Sequence, residues 1–223
     1  MKGKRLLIVG GTSGVGLALA KRALAEQAEV LIASRTAHLQ KHQLETEEGL
    51  VGCQFFPVDI TVESSINHLL ADVGAFDHLI ITVKSPLVVS PFLELDSADV
   101  KHAFDTKFWG QYQLAKLAFP SIKHGGSITF SSGTLGNRPY EGFSTMSVIS
   151  GAVESLCKAL AIELSPIRVN VVSPGFKTLT ELEDKIPLGL GSDAQIANPY
   201  FFLINDSYIT GATIVSDGGA MLV

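Results

Sequence analysis

The chain has 223 residues, enough for one large α/β unit, and at 46% hydrophobic it can bury a large core. The net charge of −5, with no basic block and no aromatic–basic interleaving, argues against a nucleic-acid role. Cys53 and Cys157 both lie inside apolar segments and read as reduced core thiols.

In chain order, the N-terminal "MKGKRLLIVGG" has a basic start, but its apolar run is too short for a signal peptide. No segment reads as long enough to span a bilayer, so the expectation is a soluble, cytoplasmic protein with neither membrane nor nucleic acid as partner. Short apolar runs at 4–10, 29–34, 51–58, 77–83, 127–132, 167–173 and 212–216 read as strands. Helical patterns fill 14–27, 37–47, 62–73, 97–119, 145–164 and 194–204. Apolar runs without alternation mean strands covered on both faces, hence a parallel sheet. Strand–helix alternation makes it a Rossmann-type, doubly wound α/β sheet of seven strands, in one domain over 1–223 with no repeat and no linker. The one long irregular stretch, about 175–197, is of a length that often forms a lid, placed at about 176–197. Its Leu179, Leu182, Ile186, Leu188 and Leu190 hint at an apolar ligand.

The first strand runs into "GGTSGVG", with Gly10, Gly14 and Gly16 in the spacing G-x-x-x-G-x-G. Glycines there permit a tight turn and let backbone N–H groups approach a diphosphate, with the positive end of the next helix, from Val15, aimed at it. Thr12 and Ser13 add hydroxyls. The second strand ends at Ser34, Arg35 and Thr36, where an NAD site would carry an acid. Arg35 can take a 2′-phosphate in fork geometry, against the plainer reading of a solvated arginine. Asp59, in "VDIT", is placed either to accept the adenine amino group or to cap a helix.

With these motifs in order, the chain resembles the short-chain dehydrogenase/reductase family over essentially its whole length. "IVGGTSGVG" looks like the family's cofactor turn and "ASR" like its NADP-preferring strand end. "GAVESLCKALAIELSPIRVNVVSPG" is similar to the stretch from the active-site helix into the sixth strand. "SPGFKT" matches the nicotinamide loop and "YITGATIVSDGG" the C-terminal segment. The resemblance implies NADP(H), a small carbonyl or alcohol substrate, and a homo-oligomer, a tetramer or a dimer. It implies cofactor contacts at Gly10, Thr12, Ser13, Gly14, Val15, Gly16, Ser34, Arg35, Thr36, Asp59, Ile60, Val83, Lys84, Pro174, Gly175, Lys177 and Thr178.

The family's chemistry uses a tyrosine as proton donor, a lysine four residues later, a serine and an asparagine. Alignment back from Val153 puts the tyrosine position at Met146 and the lysine position at Ser150, and neither side chain can donate a proton near neutral pH. The serine position falls at Gly133, with Ser132 beside it, and the asparagine position at Lys107. The family's N-N-A-G appears as Ile81, Thr82, Val83 and Lys84. Lys107 shares an apolar stripe with Val100, Ala103, Phe104, Gln111 and Ala115, a costly place for an ammonium unless it snorkels or works. The candidates for replacing the missing groups are therefore Lys107 first, then Lys84, with Ser132 and Tyr140 behind them. The alternative is an NADP(H)-binding protein with little or no catalysis, a sensor or a subunit of a mixed oligomer.

Overall fold

Seven strands form one parallel sheet: β1 (Arg5–Val9), β2 (Glu29–Ser34), β3 (Gln54–Pro57), β4 (Phe76–Ile81), β5 (Ile122–Ser131), β6 (Arg168–Pro174) and β7 (Thr213–Ser216). Their order is β3-β2-β1-β4-β5-β6-β7, and every pair is parallel. The computed structural model describes residues 1–84, 86–176 and 184–223. Chain direction across the sheet reverses between β1 and β4, which makes the carboxyl ends of those two strands the topological switch point.

Helices α1 (Gly14–Ala25), α2 (Ala37–Thr46), α3 (Glu63–Val73), α4 (Ser97–Phe104), α5 (Gly110–Ala118), α6 (Ser144–Glu163) and α7 (Asp193–Asn205) cover both faces. The two-residue period of the strands sorts the core into two layers. Leu7 and Val9 point to Ile66 and Leu69 of α3, Leu114 of α5, and Val153 and Cys157 of α6. Leu6 and Ile8 point to Leu19 and Ala23 of α1, Leu44 of α2, and Tyr200 and Phe201 of α7. Each fully buried leucine or isoleucine contributes roughly 1.5–3 kcal/mol, so these two layers carry the stability. Both cysteines lie in them, and burial raises their thiols to about 11 for Cys53 and about 12 for Cys157.

Three expectations need correction. The helix expected over 97–119 is three pieces: α4, a π turn at Asp105–Trp109, and α5. Gly110 closes the turn by donating its N–H to the Asp105 carbonyl. It packs so tightly that a Cβ there would stand 2.7 Å from the Ile60 side chain. The expected lid at about 176–197 overlaps α7, which a capping box of Ser192 and Gln195 starts at Asp193, one residue before the helix expected from 194. Within that stretch Ile186 is buried and Leu188 is 84% exposed, while Leu179 and Leu182 lie outside the described residues. Finally, α6, with 20 residues, is long and apolar enough by length and composition to cross a bilayer. Its apolarity has a local cause, since Ile149, Val153 and Cys157 are fully buried.

Candidate functional site

At the switch point β1 passes into the glycine turn. Gly10 adopts φ +93°, and a Cβ there would lie 2.9 Å from the Thr82 backbone. A Cβ on Gly16 would lie 2.2 Å from the Gly10 carbonyl oxygen. Only glycine fits either position, because the first turn of α1 is pressed against the end of β1. Gly14 adopts φ +57° at the start of α1. The Gly10 N–H donates to the Ala33 carbonyl and the Thr82 N–H to the Val9 carbonyl, each at 2.8 Å, so neighbouring strand ends hold the turn. This is a cradle that backbone alone can fill, and a dinucleotide diphosphate fits it.

The residues expected on the adenosine side follow the carboxyl ends of β1, β2 and β3. The Thr12 hydroxyl donates to Ser34 Oγ at 3.4 Å, which ties the turn to the end of β2. Arg35 and Thr36 are exposed beside it. Asp59 Oδ1 accepts from the Thr61 N–H at 2.9 Å and the Thr61 hydroxyl at 2.6 Å. That hydroxyl, with the N–H and Arg35, lowers the Asp59 carboxyl against the opposing effect of burial. Asp59 does not cap α3, whose N-cap is Val62. Ile60 is buried against Gly110, so only its backbone is available to a ligand.

The reactive side differs more from expectation. Lys107 sits in the π turn, and its Nζ donates to the Val83 carbonyl at 3.1 Å. Burial lowers this ammonium to about 8. Buried Gln111 fixes the turn: its Nε2 donates to the Lys107 carbonyl at 2.5 Å and to the Ser131 carbonyl at 3.2 Å, while its Oε1 accepts the Ser131 N–H at 3.2 Å. Lys84 is exposed and its Nζ lies 3.1 Å from the point a Cβ on Gly14 would occupy. The two lysines therefore part company, one at the carbonyl of Val83, two residues past β4, and the other at the glycine turn.

Ser132 is committed elsewhere. Its hydroxyl donates to Glu154 Oε1 at 2.9 Å, and Asn137 Nδ2 donates to Glu154 Oε2 at 3.0 Å. In this geometry the one proton of the Ser132 hydroxyl is engaged by Glu154 rather than directed at a substrate carbonyl. The Tyr140 hydroxyl accepts from Arg138 Nε at 2.9 Å, and its ring packs edge-on to Phe176 at 5.6 Å. Tyr140 thereby packs on Phe176, two residues past β6. Met146 and Ser150 lie four apart on α6, and Ser150 Oγ stands 3.4 Å from where a Cβ on Gly133 would be. Pro174 ends β6, and a Cβ on Gly175 would lie 2.8 Å from Asp217. Gly175 and Phe176 join Leu188, Gln195 and Asp217 around a cavity of about 160 Å³. Lys177 and Thr178 lie outside the described residues.

Sequence reasoning missed Glu154 and Asp193. Glu154 had a signal, an acid one helical turn beyond Ser150 that a core helix has no stability reason to bury. Asp193 had none, because its approach to Gly14 depends on the packing of α7 on α1.

Comparison with known proteins bears on this geometry. A family model described as enoyl-(acyl carrier protein) reductase matches residues 9–221. A short-chain dehydrogenase/reductase, ATR9, of Stachybotrys chlorohalonatus is 31% identical, with 100% of this chain and 98% of that protein covered. A small-chain dehydrogenase crystallised with NADPH is 34% identical over the full length of both chains, with a TM-score of 0.85. The MalC reductase/Diels-Alderase of Malbranchea aurantiaca is 25% identical, with a TM-score of 0.89 and coverage of 100% and 97%.

Proposed function

The chain belongs to the short-chain dehydrogenase/reductase family of oxidoreductases, and from that premise we propose that it moves a hydride between NADP(H) and a small carbonyl or alcohol through an atypical proton site. The observation that carries the proposal is the glycine cradle at the switch point, which excludes side chains and presents the positive end of α1 to a diphosphate. Arg35, at the end of β2, supports the 2′-phosphorylated form of the cofactor. The similar small-chain dehydrogenase that holds NADPH supports the same choice.

The bound nicotinamide supplies or accepts the hydride. The protein's task is the proton and the charge on the substrate oxygen. Lys107 is suited to both. Its ammonium is desolvated, pinned by Val83 O, and titrates at about 8. Such a cation stabilises the alkoxide as it forms and then gives it one N–H proton, which solvent restores to the amine. In the reverse direction the neutral amine accepts the alcohol proton. Gln111 holds the Lys107 backbone, and so acts as a positioning residue.

One specific observation favours the non-catalytic alternative: Ser132, the serine nearest the family's position, is bound to Glu154. Titrating the protein with NADPH and then following NADPH consumption on a panel of aldehydes and ketones separates the readings. Tight binding with turnover is the expected outcome. Tight binding without turnover on the whole panel would support the alternative, and no binding would remove both.

A further inference from the structure

A lysine at the start of α1 gains nothing from the helix. The positive end of a helix repels a cation. The N-cap, Ser13, makes no side-chain hydrogen bond to the first turn, and that turn carries no acid. Yet Lys84 places Nζ 3.1 Å from the Cβ point of Gly14. The negative charge beside it comes from another element: Asp193, in the first turn of α7, places Oδ1 3.5 Å from the same point. The two charges stand well within one Debye length of each other, above the turn built to receive phosphate.

From this juxtaposition we propose that Lys84 grips the diphosphate of the dinucleotide, and that Asp193 is the counter-charge it gives up on binding. A diphosphate offers oxygens to the turn's N–H groups and to the ammonium together, which one carboxylate held on α7 does not. Asp193 then opposes binding twice, by attracting Lys84 across the glycine turn and by repelling the incoming phosphates. This inference rests on the NADP(H) reading above, and it separates three cations by task. Arg35 meets the 2′-phosphate, Lys84 the diphosphate and Lys107 the reacting oxygen.

The diphosphate is common to NADPH and NADH, and that gives the test. Both nucleotides are titrated by their fluorescence change against the unmodified protein, Lys84→Met, Lys84→Arg and Asp193→Asn, with circular dichroism and thermal midpoints as folding controls. Loss of one charge-assisted hydrogen bond should weaken NADPH and NADH alike by about tenfold in Lys84→Met and leave their ratio unchanged. Lys84→Arg should restore most of the affinity, because it keeps the charge. Asp193→Asn should tighten both nucleotides several-fold. Unchanged affinity in Lys84→Met, or a loss confined to NADPH, would overturn the clamp while leaving the cofactor reading intact. Weaker binding in Asp193→Asn would overturn the counter-charge role. Failure of the unmodified protein to bind either nucleotide would overturn the cofactor reading, and the clamp with it.

Discussion

The proposed chemistry concentrates at one residue, Lys107, and its predicted effects divide by observable. Removing an electrostatic donor from a transition state typically costs about 2.7–4 kcal/mol. Lys107→Met should therefore lower turnover by roughly two to three orders of magnitude, with NADPH affinity nearly unchanged, as steady-state kinetics and titration would read. Reduction needs the ammonium, so its rate should fall as pH rises through about 8, while alcohol oxidation should rise over the same range. Stability follows the same proton. The folded-state value lies below the usual 10.5, so the unfolded chain holds more protons between about 8 and 10.5, and stability should increase across that window. Lys107→Met should remove this slope and stabilise the protein at neutral pH by on the order of 2 kcal/mol. Turnover that survives the substitution intact would shift the role to Tyr140. Arg35 is expected to govern a different quantity. Replacing its charge by an acid repels the 2′-phosphate and offers a partner to a free ribose, so Arg35→Asp should reverse a preference for NADPH over NADH. Equal affinity of the unmodified protein for both nucleotides, measured calorimetrically, would contradict that reading of the strand end.

Among the elements, the π turn at Asp105–Trp109 decides whether Lys107 reaches Val83. Gln111 ties that turn to β5 through three hydrogen bonds, one to Lys107 and two to Ser131. Gln111→Leu leaves the buried Ser131 amide and carbonyl without these partners, at about 1–3 kcal/mol in a urea unfolding curve. It should also lower turnover more than nucleotide affinity, because it frees the Lys107 backbone and leaves the glycine turn alone. Equal losses in both would make Gln111 merely structural. These elements also show what a sequence can and cannot carry. The unbroken apolar strand runs, the glycine turn and the stripe of period 3.6 placing Lys107 among Ala103, Gln111 and Ala115 are local patterns, and all are present in the fold. The π turn is not local, because it answers to Ile60 pressing on Gly110 and to Ser131 across the sheet. Nor could Ser132's role be read from its neighbours. It was set by Glu154, 22 residues away on α6. The glycine turn was legible because a diphosphate needs bare backbone in one short segment. The proposed proton site was not, because it draws on the Val83 carbonyl past β4, the π turn and α6.

At the scale of the whole molecule, the sheet hides its apolar strands well, but the helices over β5 and β6 leave apolar groups outside. Trp109 is 48% exposed, Val148 58% and Ile162 80%, and Tyr112 stands beside Trp109 with ring centroids 5.7 Å apart. The π turn carrying Trp109 packs on α6, so these residues belong to adjoining surfaces. The chain's other end adds Tyr208 at 96% and Leu222 at 83%. Single exposed apolar residues need no explanation, but aromatic and branched side chains gathered on neighbouring elements mark a contact surface. A stable contact takes about 800 Å² from each partner, with aromatics at its centre. Two such surfaces on one chain suit a dimer of dimers, since each can be self-complementary about its own two-fold axis. The expected state is a homo-oligomer, a tetramer or at least a dimer, in sedimentation velocity at micromolar concentration. Trp109→Glu should place a charge in the centre of the α5–α6 contact and shift the distribution to the next smaller species. It should leave the glycine turn, and hence nucleotide affinity per chain, unchanged. A monomer throughout the micromolar range would mean that these side chains serve another purpose. An oligomer indifferent to Trp109→Glu would move its interface to the Tyr208 and Leu222 end.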